Sequence, residues 1–256
     1  MQPSTIYPLF SIFLAFLGAS IGSFLGVLID RLPKEKSITG RSRCDFCHHH
    51  LAWNDLIPII SFLSLNGRCR YCRKKLSFFY PLIEVLTAVM FVSIITIPGS
   101  TIAWLGIVSS LIVIFFTDFK YQIIPDSIQL SLLVFAHLLK ITQGITFATL
   151  LPCYLAALIV TLPILVLYLA TRSRGMGFGD VKLAFTMGFL LGVKGGLLAI
   201  YFGFILGAVV GLVLILLKKK GIKSKIAFGP FLVAGTLTII YWQKEIFAFV
   251  KKIYGI

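Results

Sequence analysis

Apolar runs bounded by charges, Gly/Pro pairs and polar loops divide this chain into eight expected helices, near 7–29, 80–97, 101–117, 127–139, 145–170, 181–193, 197–217 and 226–242. A membrane-crossing helix needs about 20 mostly apolar residues. The pattern therefore predicts an all-α polytopic membrane protein with about eight transmembrane helices. The fourth and sixth runs are short for a hydrocarbon core of about 30 Å and need their flanks to cross it. Only the stretch from Asp30 to Phe79 reads as soluble. The expected organisation is a first transmembrane helix over 1–29, a cytoplasmic loop over 30–79 and a membrane-embedded core of about seven helices over 80–256. No internal repeat or low-complexity segment stands out in this reading.

Composition agrees with that pattern. Of 256 residues, 58% are hydrophobic and 13% charged, against roughly 45–50% and about 25% in ordinary soluble domains. A water-soluble domain, a disordered chain and a disulfide-stapled secreted scaffold are excluded. The net charge of +15 would suggest nucleic acid in a soluble chain, but in a membrane protein it reports topology. With the N-terminus outside, loops 30–79, 118–126, 171–182 and 218–225 share one side and carry 10, 1, 3 and 5 of the 24 Lys and Arg. The positive-inside rule makes that side the cytoplasm. These cations are expected to face anionic lipid head groups, each interaction contributing about 1 kcal/mol, with no nucleic-acid partner. The segment before the first run, Met1–Ser4, lacks a basic n-region, so the first run is expected to be a retained span.

Four of the five cysteines lie in the soluble loop, as Cys44-x-x-Cys47 and Cys69-x-x-Cys72 with 21 residues between the pairs. A two-residue spacer lets both thiolates of a knuckle converge on one ion, and the second knuckle completes a tetrahedron. The favoured reading is a structural Zn2+ that supplies much of the loop's folding free energy; redox dithiols and unliganded cysteines are the alternatives. Four thiolates leave no open coordination position for catalysis. His48, His49 and His50 could replace a thiolate but read better as a solvated polar stretch. Cys153, inside an expected span, reads as a packing residue.

The chain has nine acidic residues, and ionisable groups at membrane depth are functional candidates. Asp118 closes the third span, and Asp180 ends Gly177-Phe178-Gly179-Asp180 just before the sixth. Two carboxylates at a partly dry membrane edge share a proton, so one can activate water while the other donates to a carbonyl. The glycines before Asp180 would let an extended substrate approach the backbone. The competing reading makes Asp180 and Asp126 simple helix N-caps, the favoured one for Asp126. Glu84, about one turn into the second span, reads as a structural ion pair or as reaching a polar cavity. Helix ends give one further expectation. Asp118 lies at a negative C-terminus and Asp180 at a positive N-terminus, so the proton resides mainly on Asp118 and Asp180 is the base.

These motifs together resemble the type IV prepilin peptidases, membrane aspartic peptidases that process prepilins and pseudopilins. The resemblance runs from Gly22-Ser23-Phe24-Leu25 through Arg31-Leu32-Pro33, both Cys pairs, and Tyr80-Pro81 with Glu84. It continues with Asp118, Ile124-Pro125-Asp126, Gly177-x-Gly179-Asp180-Val181-Lys182 and Phe228-Gly229-Pro230-Phe231. It implies an eight-span enzyme of the bacterial inner membrane with Asp118 and Asp180 as the catalytic pair. Gly177, Gly179, Lys182, Asp126 and Glu84 would belong to its active-site loop and substrate region. It also implies cleavage of a basic leader at the cytoplasmic face, after a Gly and before the pilin's apolar helix. In many members N-methylation of the new terminus with S-adenosylmethionine follows. After Gly-Ser-Phe the family usually has Asn where this chain has Leu25-Gly26, a departure that bears on methyl transfer rather than cleavage.

Two other classes compete. A small ion-coupled transporter would explain the carboxylates but not the four-cysteine loop. A non-enzymatic zinc-bearing scaffold of a secretion machine would need neither aspartate. The resemblance covers the processing of prepilins and pseudopilins in pilus, competence and secretion systems alike.

Overall fold

The computed structural model describes residues 3–144, 146, 150–172, 175–217 and 227–254. The expected basic loop 218–225, residue 226, Arg174 and most of the start of the fifth run (145 and 147–149) lie outside the described residues. Among the described residues the chain is helical with two isolated β-bridges and no strand.

Among the described residues five helices are long and apolar enough to cross a membrane: α1 (Pro3–Arg31), α3 (Phe79–Ser93, with a 3-10 turn to Thr96), α4 (Thr101–Tyr121), α6 (Leu151–Ala170) and α7 (Phe178–Leu216). Between α1 and α3 lies one short helix, α2 (Ile60–Ser64). The set is completed by α5 (Asp126–Thr142) and α8 (Gly229–Tyr254). Helices are what such a composition demands, because hydrocarbon offers no partner to an unpaired N–H or C=O. Large apolar side chains such as Phe13, Leu158 and Val166 are exposed, tolerable in lipid but a liability in water.

Contacts divide the chain into two compact units, Met1–Val113 and Ile114–Ile256. In the first, α1 packs along α3 through bare backbone. A Cβ added to Gly18 would lie 2.7 Å from the Cα of Ala88, and one on Gly22 2.8 Å from the Cα of Glu84. Small residues one turn apart are how membrane helices approach closely. α3 thus lies in the same unit as α1.

In the second unit α7 is not one rod. Gly192 takes φ +71° with ψ −179°, a left-handed conformation that interrupts the helix. Residues 188 and 196 would stand about 12 Å apart along a continuous helix. A Cβ on Gly196 would instead lie 3.3 Å from the Cα of Gly188, so the chain folds back on itself. The break expected between the runs 181–193 and 197–217 therefore falls at Gly192, where only glycine enters the left-handed region without strain, and residues 194–196 are helical. Lys140 on α5 donates to the carbonyl of Leu190 at 3.0 Å, capping an acceptor next to the break. Gly188 and Gly196 both pack on α6, against Ala157 and Val160. Two other boundaries move. The fifth expected run begins its helix at Leu151, where Pro152 suits the first turn, and α8 runs past 242, with a kink at Trp242 (φ −122°, ψ 27°).

Candidate active site and metal-holding loop

Asp118 sits in the last turn of α4 and is 6% exposed. Its Oδ2 accepts the N–H of Gly229 at 2.9 Å, the first residue of α8. The side chain thus meets an unpaired donor of another helix N-terminus. Asp180 is the third residue of α7 and 5% exposed. Its Oδ2 accepts the Gly177 N–H at 3.2 Å, and its own N–H donates to the Gly177 carbonyl at 3.2 Å. Asp180 therefore does cap its helix, but with one oxygen only. Among the described residues Oδ1 is buried with no partner. Asp118 is near enough for its charge to act on Asp180.

Both carboxyls meet helix N-termini, Asp180 that of its own α7 and Asp118, from the end of α4, that of α8. The asymmetry expected from α4 and α7 alone is thereby offset, because α8 brings a positive end to Asp118. Sequence reading missed this because Gly229 is 111 residues away from Asp118.

Two further residues frame the pair. Gln129 on α5 donates from Nε2 to the Gly179 carbonyl at 2.8 Å, holding the Gly177–Asp180 segment to α5. Ile124 packs between the glycines. A Cβ on Gly179 would lie 3.1 Å from the Ile124 Cβ, and one on Gly229 3.2 Å from the Ile124 Cδ1. An amide one turn into the fourth apolar run was the available signal for Gln129; Ile124 gave none beyond its place before Pro125.

Asp126 is not the N-cap of α5. Pro125 holds that position with extended backbone, and Asp126 is the first helical residue. Its Oδ1 accepts instead from Lys182 Nζ at 2.6 Å, and both side chains are exposed. The pair clips the start of α5 to the start of α7, with Lys182 also over the Phe178 ring. Exposed pairs contribute about 0.2–1 kcal/mol. Asp126→Ala and Lys182→Ala are accordingly expected to lower cleavage by about fivefold or less, measured as kcat/KM on a prepilin peptide.

Glu84 makes no ion pair among the described residues. Buried on α3, it accepts the Ile59 N–H at 2.7 Å and a hydrogen bond from the Ser23 side chain. A backbone N–H and a hydroxyl satisfy it where a cation was expected.

In the loop, one ligand sulfur from each of Cys44, Cys47, Cys69 and Cys72 lies within 4.8 Å of every other, and Cys44 and Cys72 are 3.9 Å apart. Sulfurs about 2.3 Å from a tetrahedral ion would stand about 3.8 Å from each other, so the four can hold a metal ion. All are free of disulfides. Burial pushes the Cys44 thiol up, but N–H groups of Cys47 and Phe46 outweigh it and bring the thiol down to about 7, which favours a thiolate ligand.

The two knuckles are copies, a repeat the sequence reading overlooked. Arg43-Cys44-x-x-Cys47 to Leu51 matches Arg68-Cys69-x-x-Cys72 to Leu76. The Cys44 N–H donates to His49 O and the Cys69 N–H to Lys74 O, and the bridges Arg43–His50 and Arg68–Lys75 correspond. His48–His50 stand where the second copy has Arg73–Lys75, which hid the match. His49 packs on Tyr71, with ring centres 3.8 Å apart and planes tilted by 38°. Asp55 ties the knuckles' base to Arg70 at 2.6 Å. Burial raises its carboxyl, but N–H donors of Arg70 and Ala52 and the Tyr71 hydroxyl outweigh that and hold it below the usual range.

Residues 16–97 match the family described as Bacterial Peptidase A24 N-terminal domain, and residues 105–212 match the Type IV leader peptidase family. A "Prepilin leader peptidase/N-methyltransferase" of Bacillus subtilis (strain 168) is 31% identical over 245 residues, 93% of this chain and 97% of that protein. One of the same name from Aeromonas hydrophila is 32% identical over 254 residues, 86% of this chain and 87% of that protein. In that of Myxococcus xanthus (strain DK1622) the identity is 43% over 129 residues, 49% of this chain and 38% of that protein. No solved structure matches the chain. The two family matches and the near full-length relatives lead to one conclusion: this chain belongs to the type IV leader peptidase family.

Proposed function

We propose that the chain is a membrane-embedded aspartic endopeptidase that removes the leader of prepilins or pseudopilins, with Asp118 and Asp180 as the catalytic pair. The observation that carries this reading is two buried carboxyls, one near enough for its charge to act on the other, with Asp180 Oδ1 left without a partner among the described residues. Water held at that oxygen gives its proton to the ionised carboxyl and attacks the scissile carbonyl. The other carboxyl, protonated, donates to the carbonyl oxygen, and the leaving amine then takes a proton from the pair. Gly177 and Gly179 leave the backbone open to an extended substrate, while Gln129 fixes the loop that carries Asp180.

We place the active site at the cytoplasmic face of the bacterial inner membrane, with eight crossings and the N-terminus outside. The two halves of α7 supply two crossings, and 19 of the 24 Lys and Arg fall in loops on one side. The relatives' names support N-methylation of the product, and S-adenosylmethionine is the methyl donor in this reading. In α1 the residues Gly22 and Ser23 already serve the packing on α3 and Glu84.

The test is incubation of purified protein in liposomes with a synthetic prepilin, read by mass spectrometry. A single cut after the leader's Gly is expected, with a product one methylene heavier when methyl donor is added. An intact protein that leaves prepilin uncut but carries a proton flux would instead establish the transporter reading.

The four cysteines hold Zn2+ as a structural ion, whose chemistry is to bind the two knuckles into one fold. Binding by such sites is worth about 10 kcal/mol or more. Cys69→Ser is expected to abolish the metal signal in elemental analysis and to open 30–79 to proteases while the helices stay protected. An unchanged digestion pattern after metal loss would contradict it.

A further inference from the structure

We propose that the middle of the metal-holding loop, residues 57–65, is a re-entrant anchor that lies in an anionic lipid surface beside the first turns of α3. The inference is independent of the peptidase reading and rests on contacts within the first unit. The segment Ile57-Pro58-Ile59-Ile60-Ser61-Phe62-Leu63-Ser64-Leu65 carries no charge. Its chain must descend alongside α3, because the Ile59 N–H reaches the carboxylate of Glu84 at 2.7 Å. Glu84 lies five residues into α3, about 7.5 Å below its first residue, and is walled by Gly22 of α1. At that bond the backbone of Ile59 takes φ +63° and ψ −50°. For a β-branched residue this is an outlier, and such strain persists only where surroundings impose it. The bend and the carboxylate that holds it therefore form one device, turning the chain back upward at this depth.

The device sorts the side chains of the segment. Phe62 is half-buried, in edge contact with the exposed Phe78 at 6.1 Å between ring centres and against Gly67. Ile60 and Leu63, three residues apart and so on one helical face, turn outward at 60% and 67% exposure. Trp53 and Leu56, just before the segment, are exposed too. An apolar face of this kind needs an occupant, and charge selects it. Between Asp55 and Glu84 the sequence has five basic residues and no acidic one; Arg70 is paired with Asp55, which leaves Arg68, Arg73, Lys74 and Lys75 without a carboxylate in that stretch. Apolar side chains at the depth of a helix start, followed by cations that reach head groups, fit an anionic bilayer surface. A glutamate in the second turn of a span is thus explained by the loop it fastens.

The full-length protein can be tested in vesicles with the photoreactive p-benzoylphenylalanine at position 63. Position 89, on the exposed face of α3, serves as the lipid-facing control and position 38, elsewhere in the loop, as the aqueous one. After irradiation in phosphatidylglycerol-rich vesicles, mass spectrometry is expected to find lipid adducts at 63 in a yield comparable to 89 and at least about fivefold above 38. In wholly zwitterionic vesicles the yield at 63 is expected to fall severalfold while that at 89 holds. Glu84→Ala is expected to reduce the adduct at 63, and Glu84→Gln, whose Oε1 still accepts the Ile59 N–H, to retain it. A yield at 63 no higher than at 38, or cross-links from 63 mainly to a second copy or to added prepilin, would overturn the proposal. So would equal yields in anionic and zwitterionic vesicles, or a Glu84→Ala protein whose adduct is unchanged.

Discussion

Asp118→Asn and Asp180→Asn are each expected to slow prepilin cleavage about a thousandfold or more, with both proteins still folded. Asparagine keeps the size of aspartate and an oxygen that accepts a hydrogen bond, so the links from Gly229 to position 118 and from Gly177 to position 180 can persist. What disappears is the ability to take a proton from water or return one to the leaving amine. Positioned acid–base groups contribute typically 100- to 10,000-fold each, and a pair that hands one proton between its members loses both functions when either is altered. The check is kcat/KM on a synthetic prepilin in detergent micelles, alongside circular dichroism and thermal unfolding. A variant that cuts within tenfold of wild type would remove that residue from the chemistry.

Gly229→Ala is expected to lower kcat by about a hundredfold while KM changes by no more than a few fold. The new Cβ would lie 2.7 Å from Asp118 Oδ2, 3.1 Å from its Cγ and 3.2 Å from the Ile124 Cδ1. Something must shift, and the side chain most crowded is the carboxylate. Ile124 cannot easily yield, since it already packs against Gly179 on its other side. Asp118 is then pushed away from the N–H that holds it, and a displacement of about 1 Å at a reacting group can cost a hundredfold. Substrate binding by remote apolar contacts is untouched, which is why KM should hold. Purely structural damage would instead lower thermal stability and KM would rise with it; wild-type kinetics would show that Asp118 needs no such support.

Much of this architecture was written locally in the sequence. Apolar runs became helices because each is long enough to satisfy its own backbone, and the two Cys-x-x-Cys spacings marked the loop because a knuckle is a local turn. The turn inside α7 was also legible as an interruption, but charge pointed to Lys194 whereas backbone conformation places it at Gly192. Residues brought together by tertiary packing were not legible. Gln129 meets Gly179 across 50 positions and Gly229 meets Asp118 across 111, and no periodicity reports such a meeting. Asp126 misled because a first-turn aspartate before an apolar run reads as a cap, whereas its partner is Lys182, 56 residues on. Glu84 misled for a related reason. A buried carboxylate suggests a cation, yet two neutral donors satisfy it.

The claim at the centre is that Asp118 and Asp180 work as one unit. It is tested most directly by adding the double variant, Asp118→Asn with Asp180→Asn, to the two single ones and measuring all four proteins on the same prepilin peptide by mass spectrometry. If the pair acts as a unit, the double variant is no slower than the slower single one, because the first substitution has already removed what the second would take. Losses that multiply, with the double variant slower by the product of the two single effects, would mean two independent contributions and would contradict the shared-proton account.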